Sequence, residues 1–111
     1  MRLLITFLLF PLLLSAQILE WSPLFATVDD TITIIYDASQ GNGALVGEPE
    51  IYAHTGVLTQ NSSDGADWRY VKTDWLENTP ETKMQSLGKN KWRIRYHIRS
   101  YYGIPQSERV T

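Results

Sequence analysis

The chain reads as all-β, an antiparallel β-sandwich, on three features of its sequence. Residues 91–99 alternate strictly, with Trp92, Ile94, Tyr96 and Ile98 on one face and Lys91, Arg93, Arg95, His97 and Arg99 on the other. That is the period of a strand with one dry side and one wet, basic side. Residues 31–36, TITIIY, are dense in β-branched and aromatic side chains that suit a pleated backbone. Between such runs lie clusters of Gly, Pro, Asn, Asp and Ser, with no sustained helical period, so short strands joined by turns are expected.

Residues 1–16, MRLLITFLLFPLLLSA, have the make-up of a secretory signal peptide. Arg2 supplies the basic start, an apolar run follows, and Ser15-Ala16 precede a cut ahead of Gln17. Pro11 interrupts the run, which is too short to span a bilayer comfortably, so no stable membrane span is expected after cleavage. The remainder, residues 17–111, suffices for one small domain. It contains no cysteine, so an exported chain of this kind is held by its core or by neighbouring domains rather than by disulfides.

Residues 17–21 form the expected first strand, stopped by Ser22-Pro23, and residues 31–36 the second, with Ile32, Ile34 and Tyr36 on one face. Residues 37–47 are a glycine-rich turn, and Pro49 precedes a strand over residues 50–54. Asn61-Ser62-Ser63-Asp64-Gly65 marks a polar loop before a strand over residues 68–72. Residues 79–88 carry two signals. Thr79-Pro80 with Gly88 resembles the start and stop of a short helix, whereas Gly88-Lys89-Asn90, directly before the cleanest strand, makes residues 83–87 the first arm of a hairpin. The hairpin is preferred, because residues 91–99 need a partner close in sequence.

Net charge is −2, but it is segregated. Residues 20–81 set a long series of acids against only Arg69 and Lys72, while the basic side chains of residues 83–111 face only Glu108. A basic strip of this kind can bind nucleic acid. With an export signal and an acidic remainder, neutralisation by opposite-sign neighbouring strands is expected instead, and no nucleic-acid partner.

No catalytic set is read. His97 lies among arginines on a wet strand face, and His54 closes IYAH before a turn. Gly41–Gly47 spaces its glycines wrongly for a dinucleotide loop and is followed by Pro49 rather than a helix. Asp37, Ser39 and Glu48 match three calcium-loop positions, but Gly41 and Asn42 spoil the others, so no metal or other cofactor is expected. Asn61-Ser62-Ser63 is a glycosylation sequon for a source that modifies exported proteins. Aromatic rings are the stronger lead, since a flat ring can stack on the apolar face of a sugar. Trp92 belongs to the core by its strand face, and Trp21 and Trp68 are expected there too. Trp75, in an irregular stretch, and Tyr101 and Tyr102, beyond the last strand, are the carbohydrate-stacking candidates, with His54 and Trp68 as weaker ones.

Taken together, SPLF, VDD, TITIIYDASQGNG, VGEPEIYAHTGV, DWRYV, Trp75 and LGKNKWRIRYHIRSYYGIPQSE resemble the N-terminal β-sandwich module of secreted multidomain proteins from polysaccharide-degrading bacteria. In those proteins the module precedes an α-amylase-type glycoside hydrolase domain, and a type IX secretion sorting domain often closes the chain. The resemblance implies an immunoglobulin-like sandwich, secreted or at the cell surface. It also implies that the module is not itself an enzyme but assists a downstream catalytic domain acting on an α-glucan such as starch, either by binding that glucan or, alternatively, as a structural spacer or interaction module without a ligand. In that family a further strand follows PQSE, so the chain is expected to be a fragment lacking its final strand, with one sheet edge left unpaired and prone to aggregation.

Overall fold

The computed structural model describes residues 18–111; the expected signal peptide, residues 1–16, and its cut site lie outside the described residues. The fold is all-β. Four strands, β1 (Leu19–Ser22), β2 (Thr31–Asp37), β3 (Gln85–Gly88) and β4 (Lys91–His97), form one antiparallel sheet in the order β1-β2-β4-β3. β2 and β4, the two most β-prone segments, pair in the centre from Thr31 opposite His97 to Asp37 opposite Lys91. The expected hairpin joins β3 to β4. Lys89 and Asn90 both take left-handed conformations, at φ 54° and 62°, which gives a tight turn the twist its strands require. A bulge between Ser86 and Gly88 absorbs the slip in register.

The pairing sends Trp92, Ile94, Ile34 and Tyr36 to one face, where they pack with Ala38, Ile51, Met84 and Ala53. A second cluster, Ile98, Tyr102 and Ile104, gathers Val28, Ile32, Val57, Tyr70 and Val110 around it, and Tyr96 touches both.

The layer covering this face is not a second regular sheet. Its spine is residues 51–60, tied at three isolated bridges: Tyr52 to Lys83, Val57 to Arg69 and Thr59 to Val110. The strand expected over residues 50–54 therefore reduces to one bridge. Ala53 donates to Thr82 O at 2.7 Å and Met84 to Ile51 O at 2.8 Å, after which the partner chain leaves the ladder. It does so through a 3-10 turn, Pro80–Thr82, headed by Thr79. The preferred hairpin is thus formed, while the helix signal at Thr79-Pro80 yields only this 3-10 turn and Gly88 ends β3 rather than a helix. The strand expected over residues 68–72 is broken because Tyr70 sits at φ 56°, outside extended backbone.

The last strand is also shorter than its alternation suggested. His97 Nδ1 accepts from Ser100 N at 3.3 Å and caps a helical turn, α1 (Ile98–Tyr102), closed by Gly103 in the left-handed conformation at φ 70°. Asp30 O and Val28 O accept from Ile98 N and Arg99 N, fixing where the chain departs. The reversal folds Tyr101 and Tyr102 back over Tyr96: Tyr101 stacks on it at 4.0 Å, and Tyr102 meets it edge-on at 5.4 Å.

Two tryptophans expected in the core are not there. Trp21 does face the core side, opposite Ile34, but it sits on the edge strand, beyond the covering layer, and is 47% exposed. Trp68 lies on the broken segment and is 49% exposed.

The two faces of β4 should respond very differently to truncation. Ile94→Ala should cost about 2–5 kcal/mol for a buried aliphatic side chain, and Arg95→Ala less than about 0.5 kcal/mol, both measured by urea titration.

Candidate functional site

Three of the five stacking candidates converge. His54 lies on the spine between the bridge at Tyr52 and the bridge at Val57. Its ring stands 6.2 Å from that of Trp68, tilted by 33°, and 5.1 Å from that of Trp75, at 77°. Both indoles thus neighbour one imidazole, and their planes are inclined to each other.

Each ring has a local cause. Trp68 enters through Gly56, where a Cβ would meet Val71 Cγ2 at 3.0 Å, Arg69 O at 3.1 Å and Trp68 Cβ at 3.2 Å. Only glycine lets the two backbones approach so closely. Trp75 is carried at the tip of a turn. Glu77 N donates to Asp74 O at 3.0 Å, Asp74 N donates to Glu77 Oε1 at 3.3 Å, and Leu76 takes φ 72°. The turn leaves Trp75 72% exposed. Lys72 ties this loop to the body of the protein: its Nζ donates to Tyr101 O at 2.7 Å, pairs with Glu81 at 3.2 Å and lies 4.8 Å from the centre of the Tyr101 ring.

A hollow of about 120 Å³ opens beside the rings, lined by Tyr52, His54, Thr73, Trp75, Glu77 and Asn78 among others. A second hollow, about 260 Å³ and almost wholly apolar, shares Tyr52, Ala53 and His54 with it and reaches Ile34, Tyr36 and Ile94 on the sheet. Nδ1 of His54 is buried and has no hydrogen-bond partner among the described residues. A buried polar atom left unpaired is costly, and such atoms concentrate where a ligand or water completes the set. The site thus combines two open aromatic faces with hydroxyl, amide and carboxylate groups and one unsatisfied imidazole nitrogen. Asp74 and Glu77 lie on one turn rather than facing each other across a cleft, as the paired carboxylates of glycoside hydrolysis do. Among the described residues no group of three potential ligands could hold a metal.

Tyr101 and Tyr102 are not part of this surface. Tyr102 is 8% exposed, and its hydroxyl bonds Thr55 Oγ1 at 2.8 Å and the Tyr96 hydroxyl at 2.6 Å. Burial is the first cause pushing its pKa up. Tyr101 is half-buried against Tyr96, donates to Glu81 O at 3.1 Å and is pushed up to about 12, first by burial. Neither ring offers a free face to a sugar; both brace the site from behind, Tyr102 through Thr55 next to His54. What the sequence reading missed was the support: Gly56, Lys72 and the Asp74–Glu77 turn. Only the last carries a local signal, two acids bracketing an aromatic-apolar pair.

Behind Trp68, a polar network holds the loop. Arg69 bridges Asp67 and Asn61 O, both at 2.9 Å, and the Tyr70 hydroxyl bonds Glu108. The Asp67 carboxyl is lowered first by the Ser63 backbone N–H and then by Arg69, and that of Glu108 first by Thr59 and then by Tyr70.

A family model described as "Domain of unknown function (DUF8578)" matches residues 19–111, and the chain belongs to that family. No curated protein and no solved structure matches it.

Two outcomes follow from the support of the rings. Gly56→Ala should cost about 1–3 kcal/mol and displace Trp68, which a crystal structure of the variant would show. The lowered carboxyls of Asp67 and Glu108 bind protons more readily unfolded than folded. Their stabilisation is complete above the ordinary carboxylate range and is lost as pH falls through the folded values. The calorimetric midpoint should therefore be flat from about pH 7 to 5 and drop below about pH 4, less steeply in Glu108→Gln.

Proposed function

We propose that the chain is a non-catalytic accessory module of a secreted, amylase-like polysaccharide-degrading protein, and that it binds α-glucan through Trp75 and Trp68 with His54 beside them. The observation that carries this reading is the pair of exposed, inclined indoles beside an unsatisfied His54 Nδ1. Indole faces shed water readily against the apolar face of a pyranose ring, and the hydroxyls at its rim then find Glu77 and Asn78 beside the hollow. Inclined rings suit a curved chain such as an α-glucan better than a flat ribbon, which two coplanar rings would fit. The sequence resemblance points to the same ligand class, and the signal-like residues 1–16 support export.

A second reading, a spacer that positions a neighbouring catalytic domain without binding sugar, is favoured by one observation. Phe25 is 89% exposed beside an exposed Leu24, a shape suited to docking on another protein surface.

Native gel electrophoresis through amylopectin or glycogen separates the two. Retardation is expected for the chain and should weaken at least about tenfold, or about 1.4 kcal/mol, in Trp75→Ala. Phe25→Ser should leave it unchanged. Absence of retardation by any α-glucan would remove the binding reading and leave the spacer.

A further inference from the structure

The basic strip of β4 is not neutralised in the way its sequence context suggested. On the outer face of the sheet, β2 places Thr31 opposite His97, Thr33 opposite Arg95, Ile35 opposite Arg93 and Asp37 opposite Lys91; β3 places Gln85 opposite Arg93. Asp37 is therefore the one acid directly across from this row, and Glu20 on β1 lies beyond Ile35. The acidic half of the chain meets other cations instead: Glu50 pairs with Lys83 at 3.4 Å and Asp29 with Arg99 at 2.9 Å. Arg93 is held at 2.6 Å by the neutral amide of Gln85, which orients the guanidinium without cancelling its charge. Arg95 is exposed and has no ion-pair or hydrogen-bond partner among the described residues.

No side chain of β1, β2 or β4 on this outer face is buried, so the described residues leave the face open. It lies on the opposite side of the sheet from the layer that carries Trp68 and Trp75. Alternate residues of a strand stand ~7 Å apart, so Lys91, Arg93 and Arg95 form a row, with the Thr33 hydroxyl opposite Arg95 and that of Thr31 one step further on, opposite His97. We infer that this face is a second binding surface, for an acidic polysaccharide of the polyuronate class laid along β4, with Arg93 and Arg95 as the charge contacts. A single-stranded nucleic acid is the poorer match. Sheets that bind one stack its bases on exposed aromatic side chains, and this face has Thr, Ser, Ile and Gln between its cations. Polyuronates need only what is present: regularly spaced positive charge and hydroxyl partners on a flat surface.

The inference is independent of the α-glucan site, and the test keeps the two apart. The whole chain would be passed through native gels containing polygalacturonate, alginate, neutral amylopectin or single-stranded DNA. Retardation by the two polyuronates is expected, weakening on the order of tenfold from about 50 mM to about 500 mM sodium chloride as counterions compete. Arg93→Gln with Arg95→Gln should abolish polyuronate retardation while leaving the amylopectin result and the calorimetric midpoint unchanged; Trp75→Ala should do the converse. Lack of retardation at low salt would overturn the proposal. So would full retention by the double variant, equal loss in Trp75→Ala, or tighter binding of DNA than of polygalacturonate.

Discussion

The pairing of β2 with β4 is the constraint on which the rest of the molecule depends. Their register, Ile34 opposite Ile94 and Tyr36 opposite Trp92, decides in one step which side chains are dry and which are wet. A slip by one residue would turn Trp92 and Ile94 to solvent and Arg93 and Arg95 inward. The apolar face then needs a cover. The spine of residues 51–60 supplies it with Ile51, Ala53 and Val57, held by single bridges rather than by a continuous ladder. That economy has a functional side. A spine bonded only at intervals leaves its intervening positions free, and His54 is at one of them.

How much of this was legible in the sequence differs by element for physical reasons. β2, β4 and the turn between β3 and β4 were readable, because period-2 alternation and a Gly-Lys-Asn turn are local patterns that the tertiary structure did not override. The end of β4 was misread because alternation persists through Ile98 while the backbone turns at His97. Gly103 followed by Pro105, a common helix stop, was the available warning. The turn there folds Tyr101 and Tyr102, the stacking candidates placed beyond the last strand, back over Tyr96, leaving Tyr101 half-buried and Tyr102 in the core. Trp21 and Trp68 were placed wrongly for a different reason. Which face a residue occupies follows from parity, but whether that face is covered depends on how far a distant segment reaches. The contact of Trp68 with Gly56 is of the same long-range kind, which no local pattern announces.

Charge segregation along the sequence also meant something other than the expected strand-to-strand cancellation. Acids and bases do pair, but through loops: Glu50 with Lys83, Asp29 with Arg99, Glu81 with Lys72. The sheet keeps its positive row at Arg93 and Arg95, because the neighbours of β4 contribute threonine, isoleucine and glutamine at the positions facing them, and only Lys91 faces an acid, Asp37. The two sides of one small domain thereby acquire different chemistries, an aromatic one through the covering layer and a cationic one through the bare sheet.

The distribution of aromatic side chains has an optical consequence. Trp92 alone among the four indoles is enclosed; Trp21, Trp68 and Trp75 already meet water in the folded state. Unfolding therefore changes the surroundings of Trp92 most, those of the half-exposed Trp21 and Trp68 less, and those of Trp75 least. The asymmetric packing of Tyr96, Tyr101 and Tyr102 falls elsewhere, in the near-ultraviolet ellipticity of phenol rings held at fixed angles. For this protein, tyrosine reports on whether the interior is intact, and tryptophan reports on what approaches from outside.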